Sequence, residues 1–339
     1  MVAQIDPAYK KYGLRKVIRR LVSYGLFEGR PHTTKGQWFN PAVFSILNAL
    51  KSIPGTPKVN KPIFITGLGR SGTTILGKLL SLHKDVGFLN EPKAIWKIID
   101  PRHDINGDYT NSGGKFFLNV ADVTPQARKN AYSLFGRYLK TICATRLVDK
   151  YPELIFRVDY LLELFPDAKI IFITRNGVDA THSIDLWSKR LGKTTHKGVE
   201  DWWGRNDIKW QYLKQQILLK DPIYNSLAEI ENTDLDHCNR AALEWIITMR
   251  TGMEQVAKYP DSVIMIKYED LTHSPEPNIK HLLKKCELDY DTSVTDYAKT
   301  TLYTQAQKEW PELHPQIKPL FKETMLQLKY EISEKMVMP

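Results

Sequence analysis

The central part of the chain alternates between short apolar runs and stretches with helical spacing. Residues 62–65 and 170–173 are uninterrupted apolar runs, as expected for strands that are buried on both faces. From Thr73 onward the apolar residues recur at helical spacing, and the run Ser262 to Leu271 predicts a further strand. This alternation predicts an α/β domain in which helices flank a central, mainly parallel sheet.

The first fifty residues predict two helices that precede this domain. Phe39 to Leu50 predicts the second. The first is basic and amphipathic, and two interpretations are open: its apolar stripe packs on the domain, or it contacts a membrane surface. We expect residues 1–60 to form a helical extension packed on a single domain, residues 61–339. The basic residues of the first helix are Lys10, Lys11, Arg15, Lys16, Arg19 and Arg20, interleaved with Leu14, Val17, Ile18, Leu21 and Val22.

Composition narrows the class of protein. The 339 residues are 42% hydrophobic, enough for a sizeable core, and the net charge of +10 suggests an anionic ligand or surface. The three cysteines are widely separated, which favours reduced thiols over a disulfide framework or a zinc site. Apolar runs stay shorter than the roughly 20 residues of a membrane span. We therefore expect a cytoplasmic protein.

The stretch GLGRSGTT, residues 67–74, predicts a phosphate-binding turn between a strand and a helix. Gly67 and Gly72 have the spacing of a nucleoside-triphosphate loop, but Thr73 stands where that loop has its lysine, and the positive charge comes earlier, at Arg70. A helix N-terminus at this position favours an anion. The pattern predicts a nucleotide other than ATP, with a P-loop kinase or NTPase as the alternative.

A second strand followed by a helix repeats this arrangement. Arg175 ends the apolar run 170–173 and Ser183 comes eight residues later, two turns into the predicted helix. An arginine fork and a hydroxyl could bind a phosphate from two sides.

Four motifs in order resemble the sulfotransferase family that uses 3′-phosphoadenosine-5′-phosphosulfate (PAPS): GLGRSGTT, DKYP at 149–152, RNGVDATHS at 175–183 and KYEDLTHSP at 267–275. The resemblance extends from about Phe64 to the LKYE ending at 328–331, and Arg70 makes it more similar to the branch of tyrosylprotein sulfotransferases and bacterial enzymes. It implies a P-loop-like three-layer sandwich with helices on both faces of the sheet. It also implies PAPS as donor, its product PAP, and no metal.

The resemblance assigns donor-binding residues. The first loop would hold the 5′ phosphosulfate, and Arg175 with Ser183 would hold the 3′ phosphate. Tyr268, at the end of the third strand, belongs to the same donor site. Lys308 resembles a family lysine that closes over the donor, although here Glu309 separates it from the tryptophan that follows. The loop residues are Gly69, Arg70, Ser71, Gly72, Thr73 and Thr74.

Catalytic roles follow from the same resemblance. Arg70 and Lys150, which matches the family's K-x-P element, would stabilise charge developing on the leaving oxygen. Glu91 lies 21 residues after Arg70, where arginine-type members place their catalytic glutamate, and we expect it to act as the general base. The rival base is a histidine. The candidates are His83, His103, His182 and His196.

Residues 187–240 are expected to form the acceptor pocket and its lid, because this aromatic-rich segment directly follows the 3′-phosphate helix. Trp187, Trp202, Trp203 and Trp210 are the candidate lining residues. A stacking platform for single-stranded nucleic acid is the alternative. We expect a hydroxyl or amine of a small-molecule metabolite as acceptor, with carbohydrate, lipid and protein tyrosine as alternatives. Oligomeric state is left open.

Overall fold

The computed structural model describes residues 8–55, 57–195, 198–230, 235–304, 306 and 308–332, and its centre is a sheet of five parallel strands. Their order is β2-β3-β1-β4-β8, and a small antiparallel sheet, β5-β6-β7, lies within the segment expected to be the lid. The strands are β1 Ile63–Gly67, β2 Val86–Asn90, β3 Arg146–Lys150, β4 Lys169–Thr174, β5 Lys193–Thr195, β6 Gly198–Asp201, β7 Gly204–Arg205 and β8 Val263–Lys267.

Helices precede, connect and follow these strands. The two predicted N-terminal helices are present, the second at Asn40–Ser52. The α-helices are α1 Ala8–Lys11, α2 Leu14–Val22, α3 Asn40–Ser52, α4 Thr73–Ser81, α5 Lys93–Ile99, α6 Pro125–Thr141, α7 Val158–Leu164, α8 Gly177–Leu191, α9 Ile208–Leu213, α10 His237–Lys258, α11 Tyr268–His273, α12 Pro275–Lys285, α13 Thr292–Thr301 and α14 Lys318–Gln327.

The central sheet is buried on both faces, which explains why its strands are continuous apolar runs. On one face Phe64 and Phe172 join a core built with α5, α6, α8, α10 and α14. On the other face Ile65 and Ile171 pack with α4, α12 and α13. These three layers confirm the predicted fold class, an α/β sandwich with helices on both faces of a parallel sheet.

Sheet topology creates a crevice between β1 and β4. These neighbouring strands are followed by helices on opposite faces, because α4 packs in one core and α8 in the other. In open α/β sheets, ligands bind outside the carboxyl ends of strands at such a reversal. The two predicted phosphate-binding turns follow β1 and β4, so they meet at this crevice.

Helix α2 packs on the domain through its arginines. Arg19 is buried and donates to the carbonyl oxygens of Ile142 and Lys84 at 2.9 and 3.0 Å. Arg20 pairs with Glu28, and the side chains of this pair are only 2% and 4% exposed. The apolar stripe is divided: Val17 and Val22 pack against the core, whereas Leu14, Ile18 and Leu21 are exposed. The division into residues 1–60 and 61–339 stays a prediction.

Within the part of the chain that the structure describes, no helix is both long and apolar enough to cross a bilayer.

Glu28 offers a test of how the N-terminal helices are held. Its carboxylate accepts from Arg20 at 2.6 Å and from the backbone N–H of Asn90 at 2.7 Å. Glu28→Gln leaves a buried guanidinium without its counter-charge, so we expect the free energy of unfolding to fall by about 3–5 kcal/mol. Urea denaturation followed by circular dichroism measures this change.

The matched control makes the same chemical change on the surface. Glu163 pairs with Arg128 where both side chains are 39% exposed, so Glu163→Gln should cost at most about 1 kcal/mol. Equal effects of the two substitutions would contradict the buried-pair account.

Candidate active site

The turn after β1 forms a cradle at the start of α4. Gly72 is the N-cap residue of this helix with φ 90°, and a Cβ there would come within 2.3 Å of the Tyr268 ring. Only glycine fits this close approach in a left-handed conformation. The Ser71 hydroxyl is buried and has no hydrogen-bond partner among the described residues. The turn therefore presents a helix N-terminus and an unsatisfied hydroxyl, the groups that suit a phosphate or sulfate.

The two predicted phosphate sites are one cluster. Arg70 donates from Nε to Ser183 Oγ at 3.1 Å, and Arg175 donates from Nη1 to the carbonyl oxygen of Arg70 at 2.7 Å. The Arg175 guanidinium also lies 4.9 Å from the centre of the Tyr268 ring. Burial lowers the pKa of Arg70, and the positive charges of Arg175 and Arg190 lower it further. Positive charge is concentrated here, and an anion would relieve it.

The segment that contains Lys308 lies over helix α8. The backbone N–H of Lys308 donates to Asp179 at 3.1 Å, and the His182 ring is 2.7 Å from the carbonyl oxygen of Glu309. This contact brings the segment beside the helix that carries Ser183. The Lys308 side chain is exposed, and its role toward a donor stays a prediction.

Glu91 and Lys150 form an ion pair at the ends of neighbouring strands. Lys150 donates from Nζ to Glu91 Oε1 at 2.5 Å, and the backbone N–H of Glu91 donates to the Lys150 carbonyl at 2.6 Å. Lys150 is paired in register with Ile65 of β1, which places it beside the phosphate-binding turn. Glu91 has φ 51°, an uncommon left-handed conformation for a residue other than glycine. Glu91, Lys150 and the turn therefore follow or end three adjacent parallel strands, β2, β3 and β1.

Charges around Glu91 keep its carboxylate ionised. Burial alone would raise the pKa of Glu91, but the positive charges of Lys150 and Lys93, the hydrogen bond from Lys150 and the charge of Lys209 lower it below its ordinary value. The carboxylate is therefore ionised at neutral pH.

Lys93 and Lys209 are site residues that the sequence reasoning missed. Lys93 pairs with Asp108 at 2.9 Å, and Lys209 pairs with Glu244 at 2.6 Å. Both lysines are buried, and long-range contacts bring them to the site. One signal was available: Glu244 is the lone acidic residue in a buried apolar stretch of α10, residues 241–249.

The four candidate tryptophans divide into two groups. Trp203 and Trp210 are buried in the hydrophobic core, with ring centroids 5.5 Å apart. Trp187 and Trp202 are half-buried, with ring centroids 5.3 Å apart. Trp202 lies against the phosphate-binding turn, since a Cβ on Gly69 would come within 2.5 Å of its ring.

Polar contacts also hold Trp202 in place. Its indole N–H donates to Glu244 at 2.5 Å, and the Lys209 ammonium lies 4.7 Å from its ring centre. Trp187 and Trp202 are thus next to the cleft, whereas Trp203 and Trp210 pack inside the domain.

Two of the four candidate histidines, His83 and His103, are buried and held by contacts within the domain. His103 is buried against Trp96, with ring centroids 4.6 Å apart, and burial together with Arg157 lowers its pKa well below the ordinary value. His83 is buried and bonded to the carbonyl oxygen of Asp289. His196 lies outside the described residues. Among the described residues, no group of three or more His, Cys, Asp or Glu side chains is placed to hold a metal ion.

Comparisons with known proteins agree with the motifs. Residues 62–218 match the family model described as the Sulfotransferase family. Nodulation protein NoeE of Sinorhizobium fredii is 31% identical over 118 residues, which are 33% of this chain and 28% of that protein. The protein-tyrosine sulfotransferase of Drosophila melanogaster is 34% identical over 128 residues, 36% of this chain and 24% of that protein. The aligned part thus spans only about a quarter of the length of these relatives.

Among solved structures, the sulfotransferase domain from the curacin biosynthetic pathway aligns with a TM-score of 0.49 and 16% identity, over 81% of this chain and 100% of that one. The family match covers the turn after β1, Glu91, Lys150 and the segment from Arg175 to Ser183. Relatives that include tyrosine sulfotransferases agree with the resemblance of its motifs, and together these findings support a sulfotransferase family.

Proposed function

We propose that this protein transfers the sulfuryl group of PAPS to a hydroxyl or amine of a small-molecule acceptor and releases PAP. One observation carries the proposal: Arg70, Arg175 and Ser183 form a single cationic cluster beside the Glu91–Lys150 pair. An anionic nucleotide bound at the cluster would have its reacting end next to a carboxylate base.

The donor would occupy the crevice with its two anionic ends separated. The 5′ phosphosulfate would be held by the N–H groups and hydroxyls at the start of α4, including the unpartnered hydroxyl of Ser71. Arg175 and Ser183 would hold the 3′ phosphate, and the segment carrying Lys308 would cover it. A 3′ phosphate is what distinguishes this donor from ATP, which agrees with Thr73 in the place of the nucleotide-loop lysine.

The transfer step moves one group and one proton. The acceptor oxygen or nitrogen forms a bond to sulfur while the bond from sulfur to the 5′-phosphate oxygen breaks, with the three atoms in line. Glu91 takes the acceptor's proton, and PAP leaves with the electron pair of the broken bond. Arg70 and Lys150 stabilise the charge that develops on the leaving oxygen.

Lys150 connects removal of the acceptor's proton with departure of the leaving oxygen. Its hydrogen bond to Glu91 is one of the interactions that lower the pKa of that carboxyl group. When the lysine turns toward the leaving oxygen, Glu91 loses a hydrogen bond and its pKa rises. A carboxylate with a higher pKa is a stronger base, so donor binding would activate Glu91.

The acceptor would lie beside Trp187 and Trp202. These rings are half-buried, and Trp202 touches the turn that would hold the sulfuryl group. Their apolar faces with Lys209 and Glu244 alongside suit a ring-containing acceptor that carries a polar group. A carbohydrate, a lipid and a protein tyrosine are the alternative acceptors.

Glu91→Gln tests the base directly. The amide retains the size of the side chain but cannot accept the proton, so turnover should fall about a hundredfold or more. Calorimetry should find PAP affinity within a few fold of the unsubstituted protein. Glu163→Gln is the control and should leave turnover unchanged, because this exposed carboxylate lies in α7 just before β4 begins, whereas the cleft is at the carboxyl ends of the strands. A fully active Glu91→Gln variant would remove Glu91 from the role.

The pH profile of kcat/KM distinguishes a glutamate base from a histidine base. For kcat/KM of PAPS, which reports the enzyme before the donor binds, the pKa of Glu91 lies below its ordinary 4.5, so the base form persists down to about pH 5 and the acid limb should be flat over that range. A histidine base of ordinary pKa, about 6.5, would lose about tenfold by pH 5.5. Such a loss would contradict the assignment of Glu91.

Arg175→Ala tests the 3′-phosphate site. Losing one charged hydrogen-bond partner should weaken PAP binding about tenfold to a hundredfold. Adenosine 5′-phosphosulfate lacks the 3′ phosphate, so its affinity should change much less. Calorimetric titration with both nucleotides gives the two ratios.

Two further variants make this result specific. Ser183→Ala should also weaken the binding of PAP more than the binding of adenosine 5′-phosphosulfate. Its loss of PAP affinity should be smaller than that of Arg175→Ala. Lys189→Ala removes an exposed positive charge from the same helix and should alter neither affinity. Equal losses of both nucleotides in Arg175→Ala would mean that the residue supports the turn rather than binding the 3′ phosphate.

A further inference from the structure

Helix α2 exposes its apolar side chains to solvent. Leu14, Ile18 and Leu21 are 72%, 51% and 47% exposed and recur at i, i+4 and i+7, so they form one row along the helix. The arginines of the same helix face the domain, where Arg19 and Arg20 are buried. Only Val17 and Val22 of the apolar residues of this helix pack against the core, so the row of Leu14, Ile18 and Leu21 is left facing solvent, unlike the apolar stripe of an ordinary surface helix.

A groove continues the apolar row onto the neighbouring helix. It has a volume of about 340 Å³ and lies between α2 and the C-terminal end of α6. Leu14, Ile18, Val22 and Ile142 supply its apolar lining, and Arg15 lies at its edge. The exposed row and the groove together form one continuous apolar surface, which we call the α2 face.

The charge of this region is of one sign. Residues 8–27 contain six lysines and arginines and no aspartate or glutamate. Four of the six engage carbonyl or carboxylate oxygens of the domain: Arg15, Lys16, Arg19 and Arg20. Lys10, Lys11 and Arg15 are exposed beside the apolar row. The α2 face thus combines exposed leucine and isoleucine with a border of positive charge.

We propose that the α2 face docks on an anionic lipid surface. An interfacial helix inserts its apolar row at the boundary of the acyl chains while adjacent lysines and arginines contact anionic headgroups. The complementarity of charge favours this occupant over a second copy of the chain. In a two-fold symmetric dimer the same cations would face each other across the interface, which is repulsive. The contact is peripheral and leaves the crevice between β1 and β4 on another part of the molecule.

Vesicle sedimentation of the full chain tests the proposal. Vesicles of phosphatidylcholine in which about one lipid in three is phosphatidylserine should pellet the protein. Pure phosphatidylcholine vesicles should pellet much less of it.

The triple variant Leu14→Ser, Ile18→Ser, Leu21→Ser should lower the partition coefficient about thirtyfold or more, given the usual gain for burying such side chains. Neutralising Lys10, Lys11 and Arg15 to Gln should lower it on the anionic vesicles and reduce its dependence on salt.

The control variant removes apolar side chains of similar exposure elsewhere. Leu219, Ile223 and Leu326 are 55%, 53% and 60% exposed, and changing all three to Ser should leave sedimentation unchanged. Circular dichroism confirms that each variant is folded.

The proposal is overturned if the unsubstituted protein stays in the supernatant, or if the α2 triple variant and the control bind equally. A dimer in analytical ultracentrifugation that only the α2 triple variant dissociates, without vesicle binding, would assign the face to a second copy instead.

Discussion

Two arginines meet at the carboxyl edge of the sheet, and the rest of the site depends on the anion that they require. Arg175 donates to the carbonyl oxygen of Arg70, and Arg70 reaches Ser183 on the next helix. This contact is available only because β1 and β4 are neighbours whose helices leave on opposite faces. Topology thus brings together two turns that are more than a hundred residues apart, and their like charges repel until an anion lies between them.

The second constraint is the balance of charge around Glu91. Three lysines act on this carboxylate, and two of them are themselves held by Asp108 and Glu244. Their charge keeps the carboxylate ionised, and the direct partner Lys150 is also paired in register with Ile65 in the strand that leads into the phosphate-binding turn. In the proposed reaction Lys150 pairs with Glu91 before the donor binds and stabilises the leaving group afterwards. An ion pair that can exchange partners connects donor binding to proton removal.

Much of this arrangement could be predicted from sequence because it is local. The strands before Arg70 and Arg175 are continuous apolar runs, and the glycine spacing of residues 67–72 requires a tight turn. Contacts between distant segments could not be predicted in the same way. The pairing of Lys209 with Glu244 and the burial of Trp203 depend on tertiary packing, for which spacing along the chain holds little information. The sequence left the orientation of α2 open for the same reason, since the carbonyl groups that Arg19 satisfies come from residues 84 and 142.

The central claim is that the crevice binds a 3′-phosphorylated adenosine nucleotide. Isothermal titration of the purified protein with PAP, and with ATP plus Mg²⁺ in the same buffer, tests it most directly. The account predicts micromolar binding of PAP and little binding of ATP, because Arg175 and Ser183 are proposed to hold the 3′ phosphate and Thr73 replaces the nucleotide-loop lysine. Tight binding of ATP with no response to PAP would contradict the account and favour a kinase or NTPase.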